Sequence, residues 1–264
     1  MDLDFLLPWP SPLEAGRLVR RLHRHLADVL LDDGRPITAS CINRGPLEGL
    51  VRPGARVWVR AAPDPADPLA YAWCATESDG VRVGIDPSLP HRLVRAMLEA
   101  RALPRMGPYE AVRPEYPHAA GSRVDFRLTA PGTVHDVEVK HCQLVYPDRR
   151  GYFPDGVSAR ATRHLQALVH GCRRGVEATV LFVVQREDAR SVRPSDVHDP
   201  AFGAAARRAA AAGVRFRALR VTPACEGLRV LGTLPVDLDP YGQERPARWR
   251  ASLRPHSGWE RLRA

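Results

Sequence analysis

Apolar and polar residues change their rhythm once along this chain, close to residue 88. Before that point the apolar runs are short and broken by turn signals. Residues 16–22 ("GRLVRRL") and 25–31 ("HLADVLL") precede Asp32-Asp33-Gly34, a hairpin signal, and 36–41 ("PITASC") follows it. In 55–61 ("ARVWVRA") Val57 and Val59 fall on one face and Arg56, Trp58 and Arg60 on the other. Residues 70–75 and 81–86 come after a Pro/Asp-rich loop. About five short strands in this space predict a small barrel of the OB type over 1–88. From "PSLP" (87–90) onward, Leu93, Met97 and Leu98, with Ala96 and Ala100, form a helical stripe, and the domain boundary is placed there.

The second stretch mixes periods. Residues 122–130 ("SRVDFRLTA") and 135–145 ("HDVEVKHCQLV") alternate as strands joined across "PGT". Residues 158–174 read as a helix, and 177–185 ("EATVLFVVQ") as a strand buried on both faces. A second helix opens at Asp199-Pro200 and closes at Gly213, with strands at 214–222 and 228–236. Residues 89–238 therefore read as an α/β domain, so the fold class is α/β with a smaller all-β domain. Residues 239–264 carry six arginines and three acids and read as a basic, loosely ordered tail.

Charge sharpens this division. Residues 1–90 hold 10 arginines against 12 acids, a net of −2, whereas 91–264 hold 29 cations against 18 acids, a net of +11. A basic region draws polyanions towards it, so DNA or RNA is the expected partner of the second half. A generally arginine-rich composition accounts for the charge equally well. No apolar run is long enough to span a membrane. Acids at positions 2 and 4 stand where a signal peptide is basic, and the five cysteines form no CxxC pair, so a cytoplasmic chain is expected. The oligomeric state stays open, a homodimer included.

Of the 39 basic residues only Lys140 is a lysine. It lies in "HDVEVKHCQ" (135–143), where alternation puts Asp136, Glu138, Lys140 and Cys142 on one face and Val137 and Val139 on the other. Arg123, Asp125 and Arg127 share a face of the preceding strand. If the two strands pair, Asp125, Asp136, Glu138 and Lys140 converge. Carboxylates of this kind hold Mg²⁺ or Mn²⁺, which activates water and steadies a leaving oxygen in phosphodiester hydrolysis. A neighbouring ammonium can shift its proton, whereas a guanidinium stays charged. A chance survivor, or a plain Lys–Asp pair, is the bland alternative.

Three blocks, "SRVDF", "VEVK" and "GYFPDGVSARATRHLQAL", together resemble the sugar fermentation stimulation protein (SfsA) family. In that family an S-R-[VI]-D-F strand, an E-V-K strand and a G-x-F-P-D-A-V-[ST]-x-R-G-x-K-H-L segment follow one another. "HLADVLLDDG" and "CINRG" resemble its N-terminal stretches, and the likeness spans residues 14–238. The resemblance implies an OB-like domain followed by a PD-(D/E)xK nuclease-like domain, with DNA or RNA as substrate. It makes Asp125 and Glu138 metal ligands and Lys140 the catalytic lysine. Glu115 aligns with a family glutamate and becomes a further metal carboxylate. The chain departs from the pattern at Ile42, Arg44, Leu47 and Glu48, and at Ala161 and Arg163, where glycine and lysine are usual.

Arg123, Arg160, Arg163 and His164 are the candidate nucleic-acid contacts, with Arg160 and His164 four apart on one helical face. Asp155 and Ser158 are candidate helix caps. His135 and His141 point away from Glu138, and Trp58, Tyr71 and Trp73 are expected to fill the barrel rather than stack bases. The leading expectation is a metal-dependent nuclease. The rivals are a non-enzymatic DNA-binding regulator of sugar-catabolic gene expression on the same fold, and an enzyme acting on another phosphorylated substrate.

Overall fold

Fifteen strands and four helices follow one another in the computed structural model, which describes residues 3–61, 69–118 and 123–261. They are β1 (Phe5–Pro8), β2 (Leu13–Leu22), β3 (Leu26–Leu31), β4 (Pro36–Ser40), β5 (Arg56–Ala61), β6 (Tyr71–Ser78), β7 (Val81–Gly84), α1 (Ser88–Glu99), β8 (Ala111–Pro117), β9 (Arg123–Ala130) and β10 (Thr133–Cys142). Then come β11 (Arg150–Phe153), α2 (Ala159–Cys172), β12 (Glu177–Val184), β13 (Ser191–Pro194), α3 (Pro200–Ala211), β14 (Arg215–Pro223), β15 (Gly227–Leu234) and α4 (Glu244–Leu253).

Strands β2 to β7 form one sheet in the order β4-β3-β2-β5-β6-β7, and parallel β4–β6 pairing closes it into a barrel. The alternation in β5 is real: Val57 and Val59 are fully buried in the barrel core with Trp73. Trp73 fills that core and donates Nε1–H to the Ala75 carbonyl. Trp58 lies outside it under the Arg82 guanidinium, 4.0 Å from the ring centre.

A seven-stranded mixed sheet, β1-β15-β14-β12-β10-β9-β8, carries the second unit. β12 is parallel to β10 and to β14 and is buried almost end to end, which explains its unbroken apolar run. Helices α2 and α3 cover one face, with Leu165, Leu168, Phe202 and Ala206 at the contact. Helix α1 covers the other with Leu89, Leu93, Val94, Met97 and Leu98. Asp199 caps α3 by accepting from Phe202 N–H, and Ser158 caps α2 by accepting from Ala161 N–H.

Two expectations about the chain ends are corrected. The barrel expected over 1–88 does not include β1, which pairs antiparallel with β15 (Phe5↔Val230, Pro8↔Gly227). Its Phe5 and Leu7 pack against the α1 core, and burying them there joins the first residues to the last sheet strand. Gly227 allows this approach, because a Cβ there would lie 2.2 Å from the Leu7 carbonyl oxygen. The tail is not loose over its described residues 239–261. It forms α4 and a tight 3₁₀ turn (Arg254–His256), then runs along the barrel, where Glu260 N–H donates to Arg21 O and Glu260 O accepts from His23 N–H. Tyr241, Trp249 and Leu253 pack on Leu144, Tyr146 and Tyr152 of the α/β unit. Leu253 also covers Gly49 of the barrel. This segment is therefore a strap across both units, held by aromatic burial that charge counting along the sequence does not reveal.

Under the strap the units are locked by buried polar groups. Glu48, 7 % exposed, accepts from Tyr146 O–H at 2.7 Å and meets His198 Nε2 at 2.8 Å. Arg250 of α4 lies 3.8 Å from the same carboxylate. Arg21 is 1 % exposed and donates to the carbonyls of Asn43, Gly45, Arg24 and Gly258. The 42–49 loop is thus an interdomain joint. Among the described residues no helix is long and apolar enough to cross a membrane, and all five cysteines are free.

Candidate active site

β9 and β10 pair antiparallel (Phe126↔Val137, Arg127↔Asp136), so their polar faces form one surface. The valines of β10 supply the anchor: Val137 and Val139 are buried in the α1 core. Beyond the pairing, Asp125 Oδ2 accepts from Val139 N–H at 2.6 Å, which ties its carboxylate across to β10. Lys140 Nζ donates to Glu138 Oε1 at 2.6 Å, and His164 of α2 contacts the same oxygen through Nδ1.

These groups line a cleft of about 610 Å³ together with Glu115, His91, Arg92, Ser158 and Arg160. Glu115 reaches it from β8, the strand next to β9. Its backbone is left-handed (φ 49°), a conformation that costs a non-glycine residue about 1 kcal/mol or more. That strain sits at the one position of β8 opposite Asp125. His91 arrives from the first turn of α1, with Nδ1 3.7 Å from Asp125 Oδ1. Donor atoms of His91, Glu115 and Asp125 all lie within 4.8 Å of one another.

The two central carboxyls titrate apart. Burial, and then the Glu138 charge, push Asp125 up to about 7. Burial would raise Glu138 as well, but Lys140 and His164 outweigh it and bring Glu138 down to about 2. Burial holds the His91 imidazole below its ordinary value. A cation beside Asp125 would favour the ionised form that burial and the Glu138 charge disfavour.

The structure brings together Glu115, Asp125, Glu138, Lys140, Arg160 and His164 as the sequence anticipates. It separates others. Asp136 does not join the cluster: Arg127 clamps it through two hydrogen bonds of 2.7 and 2.8 Å, and His118 stands 3.2 Å away. Arg123 lines a separate small cavity behind Glu138 and His164, and Arg163 lines neither. Arg160 turns towards its helical neighbour, with Nε 3.3 Å from His164 Nε2. Asp155 is tied to Gln143 Nε2 at 2.8 Å and abuts the 43–45 loop rather than the carboxylates. His135 is paired to Met106 O and Thr179, and His141 to Gly84 O, so neither joins the cluster. His91 is the residue the sequence reading misses. Its only local signal is a histidine in the first turn of a helix that starts at the domain boundary.

The "Sugar fermentation stimulation protein RE domain" model matches residues 88–227, and the SfsA N-terminal OB domain model matches 19–85. A sugar fermentation stimulation protein homolog of Pelobacter propionicus is 41% identical over 227 residues, covering 86% of this chain and 98% of the relative. One of Caulobacter vibrioides is 44% identical over 206 residues, covering 78% and 86%. The structure of Pyrococcus furiosus SfsA in complex with Ca²⁺ superposes with a TM-score of 0.79 at 23% identity, over 90% of this chain and 99% of that one. A closed OB-type barrel and a mixed sheet flanked by helices accompany these matches, and the chain belongs to the sugar fermentation stimulation protein (SfsA) family.

Proposed function

We propose that this protein is a divalent-metal-dependent phosphodiesterase that cleaves nucleic acid. The observation that carries this reading is the convergence of His91, Glu115 and Asp125 beside the Glu138–Lys140 pair in an open cleft. Two carboxylates and one imidazole suit a hard or borderline cation such as Mg²⁺ or Mn²⁺. The donor atoms of His91, Glu115 and Asp125 converge within 4.8 Å, and a cation there would favour the ionised Asp125 that burial disfavours, so the residues present fit such an ion. The Ca²⁺ complex of the Pyrococcus furiosus relative is consistent with a cation at a site of this fold. His91, Glu115 and Asp125 would hold the metal, with Glu138 as neighbour. Bound there, it would polarise the scissile phosphate and acidify an attacking water.

The chain's own groups do the rest. Val139 N–H fixes the Asp125 carboxylate, leaving Oδ1 towards His91. Glu138 aims the Lys140 ammonium, which orients the water and meets charge as it builds on the phosphate oxygens. His164 holds Glu138 from the other side and keeps that pair in place. Arg92 and Arg160 stand at the cleft to take neighbouring phosphates.

The test is incubation with single- and double-stranded DNA and with RNA, in Mg²⁺, Mn²⁺ or EDTA. Cleavage should need metal and fall at least roughly 100-fold in Lys140→Ala. No cleavage in any metal, with salt-sensitive binding retained, would replace the nuclease by a non-enzymatic binder. Cleavage at the wild-type rate by Lys140→Ala would overturn the role of the lysine.

A further inference from the structure

A second cavity, of about 420 Å³, lies between the turn at 103–106 and strands β12, β14 and β15. It shares no lining residue with the carboxylate cleft. Its inner wall is apolar: Leu103, Met106, Leu181 and Leu219 all belong to the buried core under α1. Two guanidiniums, Arg105 and Arg217, complete the lining.

Arg217 is an anomaly in this protein. Every other buried or half-buried arginine of the described residues has a hydrogen bond or ion pair, to a carboxylate or to a backbone carbonyl. Arg217 is half-buried and has neither. Burial, and then the charges of Arg215 and Arg105, lower its affinity for its proton. Arg215 is itself answered by Glu177, whereas Arg105 has no acidic partner among the described residues. A partly desolvated cation beside a like charge costs free energy unless an anion joins it.

We propose that this cavity is a binding site for a small amphipathic anion, a carboxylate or a phosphate monoester with an apolar body. The volume lies in the range of ligand pockets, roughly 300–1,000 Å³. The leucine and methionine wall takes the apolar body. The Arg217 fork, with Arg105 beside it, takes the anionic head, because guanidinium geometry matches both carboxylate and phosphate. The cavity shares no residue with the cleft proposed for nucleic acid and does not depend on that proposal.

Titration calorimetry on the full chain tests it, with octanoate and octyl phosphate as probes below their micelle concentrations. Octanol and inorganic phosphate are the neutral and headgroup-only controls. One amphiphile per chain should bind saturably, at least roughly tenfold weaker in Arg217→Gln. Thr233→Trp, at an exposed position on the lining, should block the cavity without touching the core. Binding of octanoate alone assigns a carboxylate ligand, and of octyl phosphate alone a phosphate monoester. Absence of saturable binding by either, equal binding by both variants and wild type, or equal binding of octanol or inorganic phosphate would overturn the proposal.

Discussion

Replacing Asp125 by asparagine should make the metal-free protein more stable, although it is expected to destroy the site. Asp125 is 9 % exposed, and burial with the Glu138 charge lifts its carboxyl from 3.8 to about 7. Each unit corresponds to about 1.4 kcal/mol, so ionising this group in the folded chain costs at most about 4 kcal/mol. That figure already includes the pull of Lys140 and the Val139 N–H, but asparagine still buries a polar side chain, so a gain of roughly 1–3 kcal/mol is expected. Below about pH 4 the carboxyl is protonated in folded and unfolded chains alike, and there is no penalty. Between about pH 4 and 7 the folded state keeps a proton that the unfolded state has released, so wild-type stability falls as pH rises. Above about pH 7 the whole penalty remains. Asparagine has no such slope, and its carbonyl can still accept from Val139. Thermal melts in EDTA should therefore show Asp125→Asn above wild type by roughly 3–8 °C at pH 8, with the gap closing towards pH 5. Saturating Mn²⁺ should raise the wild type and leave the variant unmoved. A variant that melts at or below wild type at pH 8, or a gap that ignores pH, would refute the reasoning.

Three further outcomes are expected. His91→Ala should weaken Mn²⁺ binding by at least roughly tenfold in calorimetry while leaving the EDTA melting temperature unchanged, since its side chain is 40% exposed. Equal affinity would remove His91 from the ligand set. Ending the chain at Leu238 should cost about 3 kcal/mol, seen as a drop of roughly 5–10 °C, because Tyr241, Trp249 and Leu253 leave the joint between the units. An unchanged melt would mean that the strap holds nothing. Arg127→Leu should destabilise by roughly 3–5 kcal/mol, since Asp136 is 1 % exposed and loses both hydrogen bonds. Adding Asp136→Asn should recover part of it in the same melting assay.

Glu48 illustrates how a departure from a family pattern acquires a reason only in three dimensions. In the sequence it is one of several departures from the family pattern in the 42–48 loop. In the structure it accepts from Tyr146, meets His198 and lies against Arg250 of the strap. The strap lies beyond the matched segments 19–85 and 88–227, and it meets this loop at one joint. Asp136 shows the converse. Strand alternation puts it correctly on the face of Glu138, but a face is wider than a site. The neighbouring Arg127, with its planar fork, captures that carboxylate first.

What the sequence determined by itself is local. Alternation of period two set the faces of β9 and β10, so the sequence alone places Asp125, Glu138 and Lys140 together. Helical spacing, the Ser158 and Asp199 caps and the buried run of β12 were legible for the same reason: neighbours a few residues apart decide them. The tertiary structure decided what depends on distant segments. It brought His91 in from the start of α1, turned Glu115 through a left-handed backbone opposite Asp125, and gave β1 to the far sheet. It also folded an arginine-rich tail into a clamp, because burying Trp249, Leu253 and Tyr241 outweighs the solvation of a charged chain end. No pattern within a few residues records such choices, since their free energy comes from surfaces that meet only after folding.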